Sequence, residues 1–204
     1  MSWIKSIMNW INLKILLMMN KSILRKNLLI KRSKVKNRSQ NEFKIFQRLE
    51  TIINNNSLIV AGYLSVRSEV NLNLFLSFLL KNKFSLCLPY IENLKSPLIF
   101  KKFSMNTKLV RGKYNIMHPN NEIILIPNII LIPLVGFDES KNRIGYGGGY
   151  YDRLRKNKGW RSIPSFVIIS QNCISERVLP RESWDIPFDG WINENRLHQI
   201  KQAK

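Results

Sequence analysis

From Arg143 to Arg153 the chain reads Arg-Ile-Gly-Tyr-Gly-Gly-Gly-Tyr-Tyr-Asp-Arg. Four of its nine glycines fall between Gly145 and Gly149, so the chemistry here belongs to the backbone more than to side chains. Glycine adopts positive φ and lets a ligand come close to the main chain. The apolar run Ile129–Phe137 comes before, and a helix-compatible segment, Tyr150 to Lys156, comes after. Strand, glycine loop and helix in that order offer unpaired N–H groups and the positive end of a helix dipole, which suits a phosphate. Asp152 falls in the first turn of that helix, where a carboxylate could hold a cation beside the phosphate. The alternative is a tight turn that binds nothing. Two common fingerprints are absent. No Gly-Lys-Ser/Thr follows the glycines, and residues 166–172 lack the acidic residue that a dinucleotide fold places about twenty positions on.

Such a loop needs strands and helices around it. Residues from Asn20 to about Lys36 read as a basic helix, with Lys21, Arg25 and Arg32 within roughly one stripe; by itself this is a solvated face. Ser39-Gln-Asn-Glu42 has capping-box spacing and opens a second helix, whose Phe43 and Phe46 are expected in the core. Leu58–Leu64, Phe84–Ile91, Leu98–Phe103, Glu122–Val135 (broken at Pro127-Asn128), Ile163–Ser170 and a short Trp191-Ile192 read as strands. A helix opening at Glu69 carries Leu72, Phe75, Leu76, Leu79 and Leu80. Strands alternating with helices predict an α/β, three-layer, Rossmann-like fold, a mostly parallel sheet with helices on both faces. Ligands in such sheets bind beyond the carboxyl ends of the strands.

The chain has 204 residues and a mass of 24.0 kDa, which suits one domain, placed here at 20–204. Residues 1–19 mix Trp3, Trp10 and Leu16 with Lys5, Asn12 and Lys14; they are too short and polar to span a membrane and read as an extension, or as sequence upstream of a start at Met18 or Met19. The formal charge is +20. A basic RNA-associated protein is the competing reading of that charge, yet no motif interleaves aromatics with the basic residues. A positive field also attracts anionic small molecules. Cys87 and Cys173 lie in apolar runs without metal or disulfide spacing, which fits a reducing cytoplasm. No membrane partner is expected, and a monomer is.

The stretch Gly136-Phe-Asp-Glu-Ser-Lys-Asn-Arg-Ile-Gly-Tyr-Gly-Gly-Gly-Tyr-Tyr-Asp-Arg153 resembles, without gaps, the signature of the 5-formyltetrahydrofolate cyclo-ligase family, also called 5,10-methenyltetrahydrofolate synthetase. The resemblance runs in order from about Lys21 to Asn195. It implies an enzyme that uses ATP to cyclise 5-formyltetrahydrofolate to 5,10-methenyltetrahydrofolate, with Mg2+ on the phosphates. Residue by residue it implies ATP contacts from Lys21, Arg25, Arg143, Ile144, Gly145, Tyr146, Gly147, Gly148, Gly149, Tyr150 and Tyr151, with Arg32 a weaker match to the basic helix. Arg143 and the Gly147–Gly149 run would act at the reacting phosphate. Folate contacts are implied for Leu64, Glu69, Tyr114, Tyr146, the same glycines and Tyr150. Asp152 and Asp189 would hold magnesium, with Asp185 the rival of the second. Glu69 read without the family is a helix-dipole charge. His118 departs from the family's Glu or Gln.

Overall fold

The computed structural model describes residues 7, 21–140, 142–176, 178–182, 185 and 187–199. The expectations for residues 1–19 therefore lie outside the described residues, apart from Ile7. In chain order the helices are α1 (residues 21–33), α2 (Arg38–Ile52), α3 (Asn73–Lys81), α4 (Tyr150–Lys156) and the single turn α5 (Lys158–Arg161). The strands are β1 (Ile59–Ala61), β2 (Ser85–Tyr90), β3 (Ile99–Phe103), β4 (Leu109–Arg111), β5 (Met117–Pro119), β6 (Ile129–Pro133), β7 (Gly136–Asp138), β8 (Arg143–Ile144), β9 (Ser165–Ile168), β10 (Ile174–Ser175), β11 (Gly190–Ile192) and β12 (Leu197–Gln199).

Seven strands form one sheet in the order β12-β11-β9-β6-β1-β2-β3, parallel from β11 to β2 and antiparallel at both edges. Strand alternation divides the core into two layers. Val60, Leu86, Leu88, Ile129, Leu131, Phe166, Ile168 and Ile192 pack with α2 and α3 through Ile45, Leu49, Phe75, Leu76 and Leu79. Their neighbours Ala61, Cys87, Ile130, Ile132, Val167 and Trp191 pack on the other face with Leu154 of α4, Trp160 of α5 and Phe137 of β7. Helices thus lie on both faces of a mostly parallel sheet, as the alternating pattern predicts.

Several local expectations change. Asn37, not Ser39, precedes α2, with φ 51° and no side-chain cap; Glu42 instead accepts the Asn71 N–H at 2.9 Å. Phe43 is half exposed and stacks on Phe46 at 5.9 Å. Helix α3 starts at Asn73, so Glu69 lies before it in a turn and is not a first-turn dipole charge. The apolar run Ile129–Phe137 is two strands. Pro133 has no N–H to extend the ladder, and the chain leaves the large sheet there. It then forms β7, which pairs antiparallel with β8 and parallel with β10. The glycine loop follows β8 of this small sheet rather than a strand of the central one. Asp138 makes that possible: buried, it accepts the backbone and side-chain N–H of Asn142, at 2.8 and 2.9 Å, and the Leu179 N–H, closing the hairpin.

Candidate active site

Strands β1 and β6 are neighbours, but the chain after β1 runs to β2 on one side and the chain after β6 runs to β9 on the other. Such a reversal opens a crevice at the carboxyl ends, where α/β sheets bind ligands. Three segments converge there: the turn after β1, the glycine loop, and α1. Leu28 of α1 packs with Val135, Ile144 and Leu179, and Leu29 and Tyr146 lie against that cluster. Ile144 thus serves the core through its side chain, 2% exposed.

The glycine loop is shaped by backbone conformations that other residues resist. Gly147 has φ +96° and Gly149, which precedes α4, has φ +63°. Gly148 is needed for a different reason, since a Cβ there would lie 2.6 Å from the Tyr150 ring. Gly145 is open, with nothing within 4 Å of such a Cβ. Arg25 reaches the loop from α1: its Nε donates to the Gly145 carbonyl at 2.7 Å, and its guanidinium lies 3.4 Å from where a Cβ on Gly147 would stand. Lys21, one turn earlier, donates to Glu182 at 2.8 Å. The basic helix therefore faces the loop, with Arg25 at the glycines and Lys21 on an acidic neighbour.

The turn after β1 offers a buried carboxylate instead. Glu69 is 5% exposed; its Oε2 accepts the Val66 N–H at 2.8 Å. Arg67 and Ser68 both sit in the left-handed region, φ 46° and 65°, at a cost of about 1–3 kcal/mol each. Arg38 of α2 donates to the Ser68 carbonyl at 3.0 Å, and Arg32 of α1 donates to the Arg67 carbonyl at 2.6 Å, which holds the strained turn. Burial raises the Glu69 carboxyl above its ordinary value; the Val66 N–H, the Tyr146 hydroxyl, Arg32 and Arg67 offset part of that rise. Burial likewise pushes the Tyr146 phenol up, and Glu69 adds to it. Arg38 and the strained turn carry no signal in a chain so rich in basic residues.

Two tyrosines stand at the mouth. Tyr150 donates its hydroxyl to that of Tyr114 at 3.2 Å, with ring centroids 6.2 Å apart in an edge-on arrangement. Tyr114 is 62% exposed and has φ 55°, and the Arg153 guanidinium lies 4.6 Å from the Tyr150 ring. Tyr151 instead packs into the second core layer, and half-buried Leu64 packs against the first. His118 packs tilted against Tyr90, ring centroids 4.6 Å apart, and bonds the Pro119 carbonyl at 3.0 Å, which gives it a packing role in the β4–β5 hairpin. The two cysteines are buried; burial pushes the Cys87 thiol up to about 12 and the Cys173 thiol to about 11, far from nucleophilic.

The two acids implied for magnesium are placed differently. Asp152, partly exposed in the first turn of α4, pairs with Arg143, whose guanidinium lies 4.4 Å from the Phe188 ring. Asp189 is 8% exposed; its Oδ2 accepts the Ser165 N–H at 2.8 Å, the Ser165 hydroxyl at 2.9 Å and Arg155 at 3.4 Å. Asp185 accepts the Glu182 N–H at 2.9 Å. Among the described residues no group of three or more Asp, Glu, His or Cys gathers for a metal. Asp152 fits a hard cation that takes most of its ligands from phosphate and water. The Asp189 oxygen is committed to Ser165 and Arg155, so the structure does not present Asp152 and Asp189 as one open pair.

An α/β sheet with a glycine loop at its switch point, a buried carboxylate opposite and a basic helix above defines a small-molecule site with a phosphate-compatible side. Comparison with known proteins gives it a family. The model of the 5-formyltetrahydrofolate cyclo-ligase family matches residues 17–194, and the chain belongs to that family. It is 31% identical over 137 residues to the 5-formyltetrahydrofolate cyclo-ligase of Haemophilus influenzae, covering 63% of this chain and 72% of that one. The enzyme of the same name from Mycoplasma genitalium is 33% identical over 141 residues, covering 67% and 76%. The solution structure of Aquifex aeolicus 5,10-methenyltetrahydrofolate synthetase superposes with a TM-score of 0.76 at 28% identity, covering 90% of this chain and 94% of that one.

Proposed function

We propose that this protein uses ATP to convert 5-formyltetrahydrofolate to 5,10-methenyltetrahydrofolate, releasing ADP and phosphate. Family membership over residues 17–194 is the observation that carries the reading, and the convergence of the glycine loop with Glu69 supports it. The chemical obstacle is the formamide oxygen, a poor leaving group. That oxygen attacks the γ-phosphorus and ADP leaves. The neighbouring N10 then attacks the activated formyl carbon, phosphate departs with its oxygen, and loss of the N10 proton leaves the methenyl bridge.

Little covalent help is required, and the rate rests on positioning and charge neutralisation. The glycine-loop N–H groups, Arg25, Lys21 and Arg143 would bind phosphate oxygens. Glu69 would accept two N–H donors from the pterin, a bidentate contact from the acidic side. Tyr114 and Tyr150 would flank the flat ring. Mg2+, held by Asp152 once Arg143 turns to the phosphates, would screen the charge of ATP. We extend the reading to a cytoplasmic monomer; two unpaired buried thiols agree with a reducing compartment. Among the described residues no helix is long and apolar enough to cross a membrane. The test is ADP release measured with and without 5-formyltetrahydrofolate: folate-dependent release supports the reading, and folate-independent release points to another phosphoryl acceptor.

A further inference from the structure

Arg32 occupies the junction of the three converging segments. It is 2% exposed, and its guanidinium donates to the Leu134 carbonyl just after β6 at 2.9 Å, to the Arg67 carbonyl in the turn after β1 at 2.6 Å, and to the Tyr146 hydroxyl in the glycine loop. Its Cζ also lies 5.5 Å from the Tyr146 ring centroid. A phenol has one proton. With Arg32 donating to its oxygen, the Tyr146 proton is left for the Glu69 carboxylate, whose charge acts on the phenol from the neighbouring turn. The family pattern would send Arg32 toward phosphates. Its fork is already committed elsewhere, and its Nε–H is buried with no partner among the described residues.

We infer that Arg32 is a positioning residue on the folate side, fixing the Glu69 carboxylate against the glycine loop through the Tyr146 hydroxyl. The inference rests on the proposed reaction and adds to it a link between its two ligand sites. A planar guanidinium meets three acceptors in fixed directions, whereas an ammonium is a point charge on a flexible stem. Lysine at this position keeps the charge and loses the alignment. Glu69 also feels Arg67 and Tyr63 from its own segment, Tyr151 from α4, and Arg38 from α2, which reaches its backbone carbonyl at 3.4 Å.

Calorimetric binding of 5-formyltetrahydrofolate and, separately, of ATP to the intact chain distinguishes this inference from the reading beneath it. A wild-type protein that binds neither ligand removes the proposed function. Where wild type binds both, Arg32→Lys should weaken folate binding about tenfold, as for one lost charge-assisted hydrogen bond, and leave ATP affinity within about twofold. Tyr146→Phe keeps the ring, removes only the hydroxyl, and serves if Arg32→Lys does not fold. It should weaken folate selectively as well, and Arg32→Lys/Tyr146→Phe should lose less than the product of the two single losses. Arg32→Gln removes a cation beside Glu69, so the acid limb of folate binding should move to higher pH, a shift that a purely structural role would not cause. Weaker ATP binding, unchanged folate binding, or independent effects of the two substitutions would overturn the assignment.

Discussion

The two loops at the switch point recognise ligands by opposite means. The glycine loop presents main chain, bent through positive φ at Gly147 and Gly149. The turn after β1 presents one buried side chain, Glu69, on a backbone strained at two non-glycine residues. Backbone N–H groups suit a phosphate, which is anionic and tolerant of direction. A carboxylate suits a ring edge with paired N–H donors, where direction matters. The first loop should therefore fail when atoms are added, and the second when atoms or charge are removed.

The largest effect is expected at the start of α4. Asp152→Asn should lower turnover about 10²- to 10³-fold, the size of losing one electrostatic contact to the reacting phosphate. It also leaves mostly buried Arg143 without a carboxylate, so some loss of melting temperature should accompany it. Near-normal turnover at saturating magnesium would remove Asp152 from the site. Next comes Gly148→Val, which forces the Tyr150 ring aside and should cut turnover about a hundredfold, as a misplacement of roughly 1 Å can. Gly148→Lys meets the same ring but without branching at Cβ, and should retain more activity at equal thermal stability. Losses that track melting temperature alone would make the loop a turn and nothing more.

Glu69→Gln tests the other loop. Folate affinity should fall about ten- to hundredfold, with ATP affinity unchanged in calorimetry. Stability should move the other way. Because burial raises the folded carboxyl above 4.5, the stability of the protonated form is complete below that pH and is lost as pH rises through the raised value. The permanently neutral glutamine escapes that loss, so its melting temperature should gain on wild type across that interval; a constant difference at all pH values would contradict the raised carboxyl. Lys21→Ala gives the smallest effect, a few-fold rise in the ATP concentration needed for half-maximal rate, since its ammonium is already engaged by Glu182. Arg25→Ala, which removes the contact to Gly145, should exceed it.

The contrast also explains what could be read from the residues. The glycine loop was legible because glycine spacing reports backbone conformation directly, and the parallel sheet because buried strands are continuous apolar runs. The hairpin between β6 and the loop was not, since Ile129–Phe137 is apolar throughout and only Pro133 hints at the break. The β4–β5 hairpin escaped for a different reason: its strands are half-exposed and three residues long. Glu69 was legible through the family pattern alone, and its partners Arg32, Arg38 and Tyr146 come from three distant segments that only the fold brings together. Ser39 and Glu42 show the limit of local motifs, as Glu42 is taken by Asn71 across a tertiary contact.

The most direct measurement is the rise of methenyl-folate absorbance from 5-formyltetrahydrofolate, with ATP, magnesium and folate each omitted in turn. Absorbance should rise in the complete mixture and stay flat in every omission. No rise in the complete mixture, set beside tight and salt-sensitive binding of RNA by the same protein, would contradict the enzymatic reading and assign the charge of +20 to nucleic acid instead.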